Sequence, residues 1–217
     1  MEPLAAPQIV DLFRVIARRL AEARAELGAL DGAIGDADHG NSMAEGFAAV
    51  VRASAEAAAQ GVAAGDLFSI AGRALLNAVG ATTGPLYASA FLRVGERFAG
   101  QQAIAAGDVP LLVAGFAEGI GARGKARPGD KTMMDALGPA ARAVAAPGEA
   151  LARLDLALRA ASDGRDATRA MIASVGRSAR LGERSRGHVD PGAASAVIVI
   201  AALREGLARH LGPASGA

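Results

Sequence analysis

The sequence predicts an all-α fold: an eight-helix antiparallel up-down barrel or bundle built from residues 1–217 as a single domain, with one polar site at one end. Three observations carry that expectation. Apolar residues recur at steps of three and four through most of the chain, as one buried helix face requires. No segment alternates with a period of two, and no low-complexity linker or longer repeat divides the chain. The connections between helical stretches also alternate between chemically plain and chemically unusual ones.

The first helix is expected from about Pro7 to Leu27, with Ile9, Phe13, Ile16 and Leu20 on one face. The stretch Asp31-Gly-Ala-Ile-Gly-Asp-Ala-Asp-His-Gly-Asn-Ser42 then reads as a loop. Ser42 and Glu45 have capping-box spacing, which starts a second helix that runs to about Gln60. A plain turn, Gly61 to Gly65, leads to a third helix from about Asp66 to Val79. Pro85 suits a first helical turn, because its missing N–H would have been unpaired there, so Gly80-Ala-Thr-Thr-Gly-Pro85 opens a fourth helix through Phe98.

The fifth helix is expected from Val109 to Ala122, followed by the loop Arg123 to Thr132. Thr132 and Asp135 repeat the capping-box spacing and start a sixth helix near Met133 that ends before Pro147. Ala150 to about Val175 reads as a seventh helix, interruptible at Asp163-Gly164. In the eighth, Val197 to Ile200 would suit a buried strand, but Leu203, Leu207 and Leu211 continue at steps of four, so Pro191 to Leu211 reads as helix. Short loops make neighbours antiparallel, so loops one, three, five and seven should emerge at one end of the barrel. Those four hold nearly all the clustered Gly, Thr, Asp, His and Lys.

Composition narrows the function. With 52% hydrophobic and 21% charged residues the chain can bury an ordinary globular core. A formal net charge of +1, one Tyr and no Trp argue against nucleic-acid binding, which needs basic fields and stacking platforms. The absence of cysteine removes disulfides, thiolate metal sites and cysteine nucleophiles. There is no signal-peptide pattern and no stretch of eighteen uncharged apolar residues, so the expected location is the cytoplasm, with no membrane association.

The acidic stretch is the chemical centre. Three carboxylates lie within eight residues, and no Lys or Arg occurs between Arg24 and Arg52, so a bound cation is the simplest remedy for their repulsion. Asp31, Asp36 and Asp38 are hard oxygen donors suited to Mg2+ or Ca2+. An EF-hand fails, since counting from Asp36 the sixth position is Asn41 rather than Gly and the twelfth is Phe47 rather than Glu. The competing reading is a solvated acidic turn that caps the second helix. Helix N-termini at the same mouth favour anions, which points to phosphate, with Thr82, Thr83, Asn41, Ser42 and Arg177 as candidate donors. Gly119 to Lys125 imitates a P-loop, but Ala126 replaces the metal-binding Ser or Thr and no strand precedes it. His39 suits a ligand, a nucleotide contact, an acid/base group or a structural loop histidine; His188 shares that ambiguity and His210 reads as surface. Met133 and Met134 suit core packing or an adenine seat.

Taken together, Gly35-Asp-Ala-Asp-His-Gly40, Thr83-Gly-Pro-Leu-Tyr87, Gly129-Asp-Lys-Thr132 with Asp135, Gly176-Arg177, Leu181-Gly-Glu-Arg-Ser185 and Gly187-His-Val-Asp-Pro-Gly-Ala193 resemble the nucleotide-binding L subunit of dihydroxyacetone kinase over essentially the whole chain. The resemblance implies an eight-helix barrel with ADP or ATP at one end and two Mg2+ ions. It makes Asp31, Asp36 and Asp38 the magnesium ligands. The nucleotide contacts become His39, Gly40, Asn41, Ser42, Thr82, Thr83, Gly124, Met133, Arg177, Asp190, Pro191 and Gly192. It further implies a separate K subunit that holds dihydroxyacetone on its own histidine, and a phosphohistidine phosphocarrier that recharges bound ADP. The alternatives are an ATP-dependent kinase for dihydroxyacetone or a ketose such as erythrulose, and a nucleotide-loaded module that contacts a transcription regulator. A homodimer is the expected assembly. Two departures stand out: Ala81-Thr82 where the family often has Gly-Ala or Gly-Gly, and Arg180 where an aromatic residue is common.

Overall fold

Ring closure organises the molecule. In the computed structural model, which describes residues 2–212, nine α-helices form among the described residues: α1 (Ala6–Glu22), α2 (Arg24–Ile34), α3 (His39–Ala59), α4 (Asp66–Ala78), α5 (Thr83–Phe98), α6 (Leu111–Gly124), α7 (Met133–Ala143), α8 (Ala150–Ala167) and α9 (Pro191–Leu211). Eight of them pack in sequence as a closed barrel, α1–α3–α4–α5–α6–α7–α8–α9 and back to α1, while α2 lies across α3 and α9. The expected first helix is therefore two helices. The chain bends at Ala23 (φ −88°, ψ 4°) and α2 continues to Ile34, so Asp31 is helical rather than in a loop.

The barrel interior is filled by the stripes legible in the sequence. Phe13, Phe47, Phe68, Phe91 and Phe116 are all within 1% of full burial. They meet mostly edge to face, with Phe91 5.6 Å from Phe13 and 5.0 Å from Phe116 between ring centroids, the arrangement aromatic quadrupoles favour. The one strand pair among the described residues was not anticipated: β1 (Leu4–Ala5) pairs antiparallel with β2 (Ala103–Ile104), Leu4 opposite Ile104. Two residues per strand are too few for a period to register. This pair ties the chain start to the α5–α6 connection at the end opposite the polar loops.

Other boundaries moved for identifiable reasons. The Ser42 cap does not form. α3 begins at His39, four residues before the start that a Ser42 cap would set; its N-cap Asp38 makes no side-chain cap, and the Ser42 N–H already bonds Asp38 O at 2.9 Å within the helix. The Thr132 capping box forms in full, Met134 N–H donating to Thr132 Oγ1 at 3.1 Å and Thr132 N–H to Asp135 Oδ2 at 2.7 Å. The seventh predicted helix ends at Ala167 instead of Val175, and Gly164 does not interrupt it. That glycine permits close packing, since a Cβ there would collide with the backbone carbonyl of Asp135 on α7. Residues 197–200 are helical, as expected. By length and composition α9 is apolar enough to cross a membrane, yet 72% of its most apolar window is buried within the barrel.

Candidate functional site

The polar loops converge. The α2–α3 turn, the α4–α5 turn, the α6–α7 loop, the segment at Gly176-Arg177 and the start of α9 together line a cavity of about 240 Å³ at one mouth of the barrel. Of the residues singled out in the sequence, Asp31, Asp36, Asp38, His39, Thr82, Thr83, Gly124, Met133, Arg177, Asp190, Pro191 and Gly192 line it. Gly40, Asn41 and Ser42 occupy the first turn of α3 beside it. Gly40 packs against the Arg24 carbonyl of α2, and Asn41 Oδ1 accepts from Arg24 Nε at 2.5 Å.

Each loop places its groups for a local reason. α2 carries Asp31 to its last turn, and Gly35 then lets the backbone fold against that side chain, since a Cβ at Gly35 would strike the Asp31 carboxylate. Asp36 and Asp38 follow in the turn, so Asp31, Asp36 and Asp38 each present an oxygen within 4.8 Å of the others. That donor set fits a hard divalent cation. Burial, and then the Asp31 charge, raise the Asp38 pKa above its usual value, the strain expected of crowded carboxylates. The positive group missing from the local sequence arrives from elsewhere in the chain. Arg177 reaches over from the far side of the mouth to pair with Asp36 and lies 3.9 Å from Asp38.

His39 sits under this cluster, only 7% exposed. Its backbone N–H donates to Asp31 Oδ2 at 3.2 Å. Its ring joins Ser195 Oγ at 2.9 Å and Thr83 Oγ1 at 3.4 Å, and Ser195 Oγ donates onward to Gly192 O at 2.9 Å. Burial lowers the imidazole pKa against the opposing pull of Asp31, which favours the neutral ring. On the other side Asp190 caps α9 by accepting from Ala193 N–H at 2.7 Å. Burial, opposed by that hydrogen bond, pushes its carboxyl up to about 7.

Met134, paired with Met133 as a candidate adenine seat in the sequence, lines the cavity as well. Sequence reasoning did not single out two features of the cavity. One is the apolar wall that Leu86 and Ile120 add beside these methionines. The other is Lys131, a lysine only 1% exposed at the mouth. Its place inside Gly129-Asp-Lys-Thr132 was a clue, but a lone lysine in a polar loop ordinarily reads as solvated. A carboxylate triad at the head of a half-apolar cavity, with the N-termini of α5 and α9 beside it, can hold a metal-bound phosphate next to a planar, largely apolar group.

Comparison with known proteins gives this arrangement a lineage. The model of the DAK2 domain matches residues 33–205, which hold every polar mouth residue except Asp31. The chain belongs to the DAK2 domain family. It is 37% identical over 79% of its length to the ADP-binding subunit DhaL of the PEP-dependent dihydroxyacetone kinase of Escherichia coli, 82% of which is covered. It is also 34% identical to the L-erythrulose 1-kinase of Mycolicibacterium smegmatis, covering 94% of this chain and 36% of that protein. Among solved structures, the dihydroxyacetone kinase from C. freundii in complex with AMP-PNP and Mg2+ superposes with a TM-score of 0.70 at 25% identity, covering 94% of this chain and 35% of that one. The all-helical barrel is thus the family's fold.

Proposed function

We propose that this chain is the ADP-binding, Mg2+-dependent kinase subunit of a dihydroxyacetone kinase, which passes phosphate from bound nucleotide to dihydroxyacetone held on a separate K subunit. The observation that carries the reading is the carboxylate triad at the mouth cavity of a DAK2 chain. Asp31, Asp36 and Asp38 hold Mg2+, two ions in the full site. When bound, the metal supplies charge neutralisation for a phosphoryl group in a loose transition state. The protein's own residues do the positioning. Thr82 and Thr83, with Gly40, Asn41 and Ser42 from the first turn of α3, face phosphate. Met133, Gly124 and the Asp190-Pro191-Gly192 turn hold the rest of the nucleotide, and His39 anchors the base of the triad. Arg177 is positioned to trade its carboxylate partners for phosphate oxygens, since a guanidinium serves either anion.

Relatives named as PEP- or PTS-dependent ADP-binding subunits, 37% identical in Escherichia coli and 33% in Lactococcus lactis, support a relay in which a phosphohistidine phosphocarrier recharges bound ADP. The subunit would act in the cytoplasm. The test is turnover of dihydroxyacetone with purified K subunit: the relay reading expects phosphorylation only when the phosphocarrier system and this chain are both present. Turnover with ATP and the K subunit alone would replace the relay by an ATP-dependent kinase. Turnover that does not depend on this chain would leave it only a binding role.

A further inference from the structure

Lys131 is buried in a left-handed backbone conformation (φ +59°), which a non-glycine residue adopts only at a cost of roughly 1 kcal/mol. A glycine would relieve that cost, so the side chain has to supply something a glycine lacks. An ammonium is three donors on a flexible stem. Nζ donates to Thr168 O at 2.6 Å and to His188 O at 2.6 Å. These acceptors lie just past the end of α8 and in the segment that enters α9, whereas Lys131 itself belongs to the α6–α7 loop, so one side chain ties three separate parts of the chain. The tie is reinforced next door, where Asp190 N–H donates to Thr168 Oγ1 at 3.0 Å.

Both ends of the tie are close to cavity walls. Met133 follows Lys131 by two residues, and Asp190 to Gly192 follow His188 by two to four. The two walls touch, since a Cβ on Gly192 would come within 3.3 Å of Met133 Cβ. A shift of the His188 segment relative to Lys131 would therefore open or close the cavity directly between Met133 and Gly192. We propose that Lys131 is a positioning residue for nucleotide binding, whose ammonium sets the Met133 wall against the Asp190–Gly192 wall through the carbonyls of Thr168 and His188. This rests on the nucleotide-binding reading of the mouth.

The test uses the full chain with Mg2+ and ADP, and the acceptor-bearing subunit for turnover. Lys131→Met keeps the stem and removes the donors. It should weaken Mg2+-dependent ADP binding about tenfold or more by calorimetry, as a wall displaced by an ångström would. It should raise the ADP concentration that gives half-maximal turnover in step and leave kcat at saturating ADP within about twofold. Val144→Ala, at the far end of α7, serves as a stability control and should leave ADP affinity unchanged. Because the chain has no cysteine, Lys131→Cys carries a unique thiol. Aminoethylation of the unfolded chain before refolding should restore affinity to within about threefold by returning an ammonium, whereas a neutral carbamidomethyl group should not. Should Lys131→Met not fold, Lys131→Gln, with one amide donor group, should bind ADP with intermediate affinity. Wild-type affinity in a folded Met or Gln variant would overturn the proposal. Failure of the unmodified protein to bind Mg2+ and ADP would overturn the nucleotide reading instead.

Discussion

Two charged regions of this barrel are built on opposite plans. On the α1–α9 flank, beside an open hollow of about 1050 Å³, Glu205 is surrounded by Arg18 at 2.7 Å, Arg19 at 2.7 Å and Arg209, with Glu22 completing the network. Burial alone would raise the Glu205 pKa, but the hydrogen bond and charge of Arg19, with Arg209 and Arg18, bring it below its usual value. At the mouth three carboxylates converge on one point and two of them, Asp36 and Asp38, share one guanidinium, with Asp38 shifted up rather than down. On the flank every carboxylate of the network has at least two guanidinium partners within the chain. The mouth carries an excess of negative charge, which suits a cation from outside the chain. On the proposed reading, charge imbalance marks the site and hollow size does not.

The sharpest way to break this comparison is to remove one mouth carboxylate. Asp36→Ala should abolish Mg2+-dependent retention of ADP, measured by calorimetry with and without Mg2+, while the fold survives, because the lost charge relieves repulsion. Unchanged retention would show that the triad is merely an acidic turn.

A second, intermediate effect is expected from Asp190. Its carboxyl has a folded pKa of about 7 against an ordinary value of 3.8, so between these pH values the folded state binds more protons than the unfolded state. Stability from this group is therefore highest below about pH 4 and falls as pH rises toward 7, with a slope of at most about 1.4 kcal/mol per pH unit. Asp190→Asn should flatten the pH dependence of denaturant unfolding across that window. A parallel pair of curves would mean that Asp190 is not held protonated.

The smallest effect belongs to the flank. Glu205→Gln should cost about 1 kcal/mol or less, as exposed ion pairs do, and leave nucleotide affinity untouched. Thermal unfolding and calorimetry on the same sample read both quantities.

The legible parts of the fold were those where local pattern and tertiary demand coincide. The Thr132-Asp135 capping box could be read because both partners lie within four residues, and the α9 stripe because its steps of four outweigh four β-branched residues in a row. The misread parts were decided by distant contacts. No Pro or Gly marks the bend at Ala23; it lets α2 lie across α3, where Gly40 packs against Arg24. The Ser42 cap was displaced because Asp31, eight residues upstream, takes the His39 N–H and helps α3 begin early. The end of α8 lies where Lys131 captures the Thr168 carbonyl, a donor thirty-seven residues away.

The sequence by itself determined an all-α barrel with four polar loops at one mouth and a carboxylate triad among them, since helix period, loop alternation and charge spacing are all short-range properties. Only the tertiary structure decided how that triad is balanced and how the cavity is held. Arg177 crosses from the opposite loop to the carboxylates, and Lys131 ties the α6–α7 loop to the carbonyls of Thr168 and His188. Burial changes what a charge costs, and burial is not written in any single stretch of the chain.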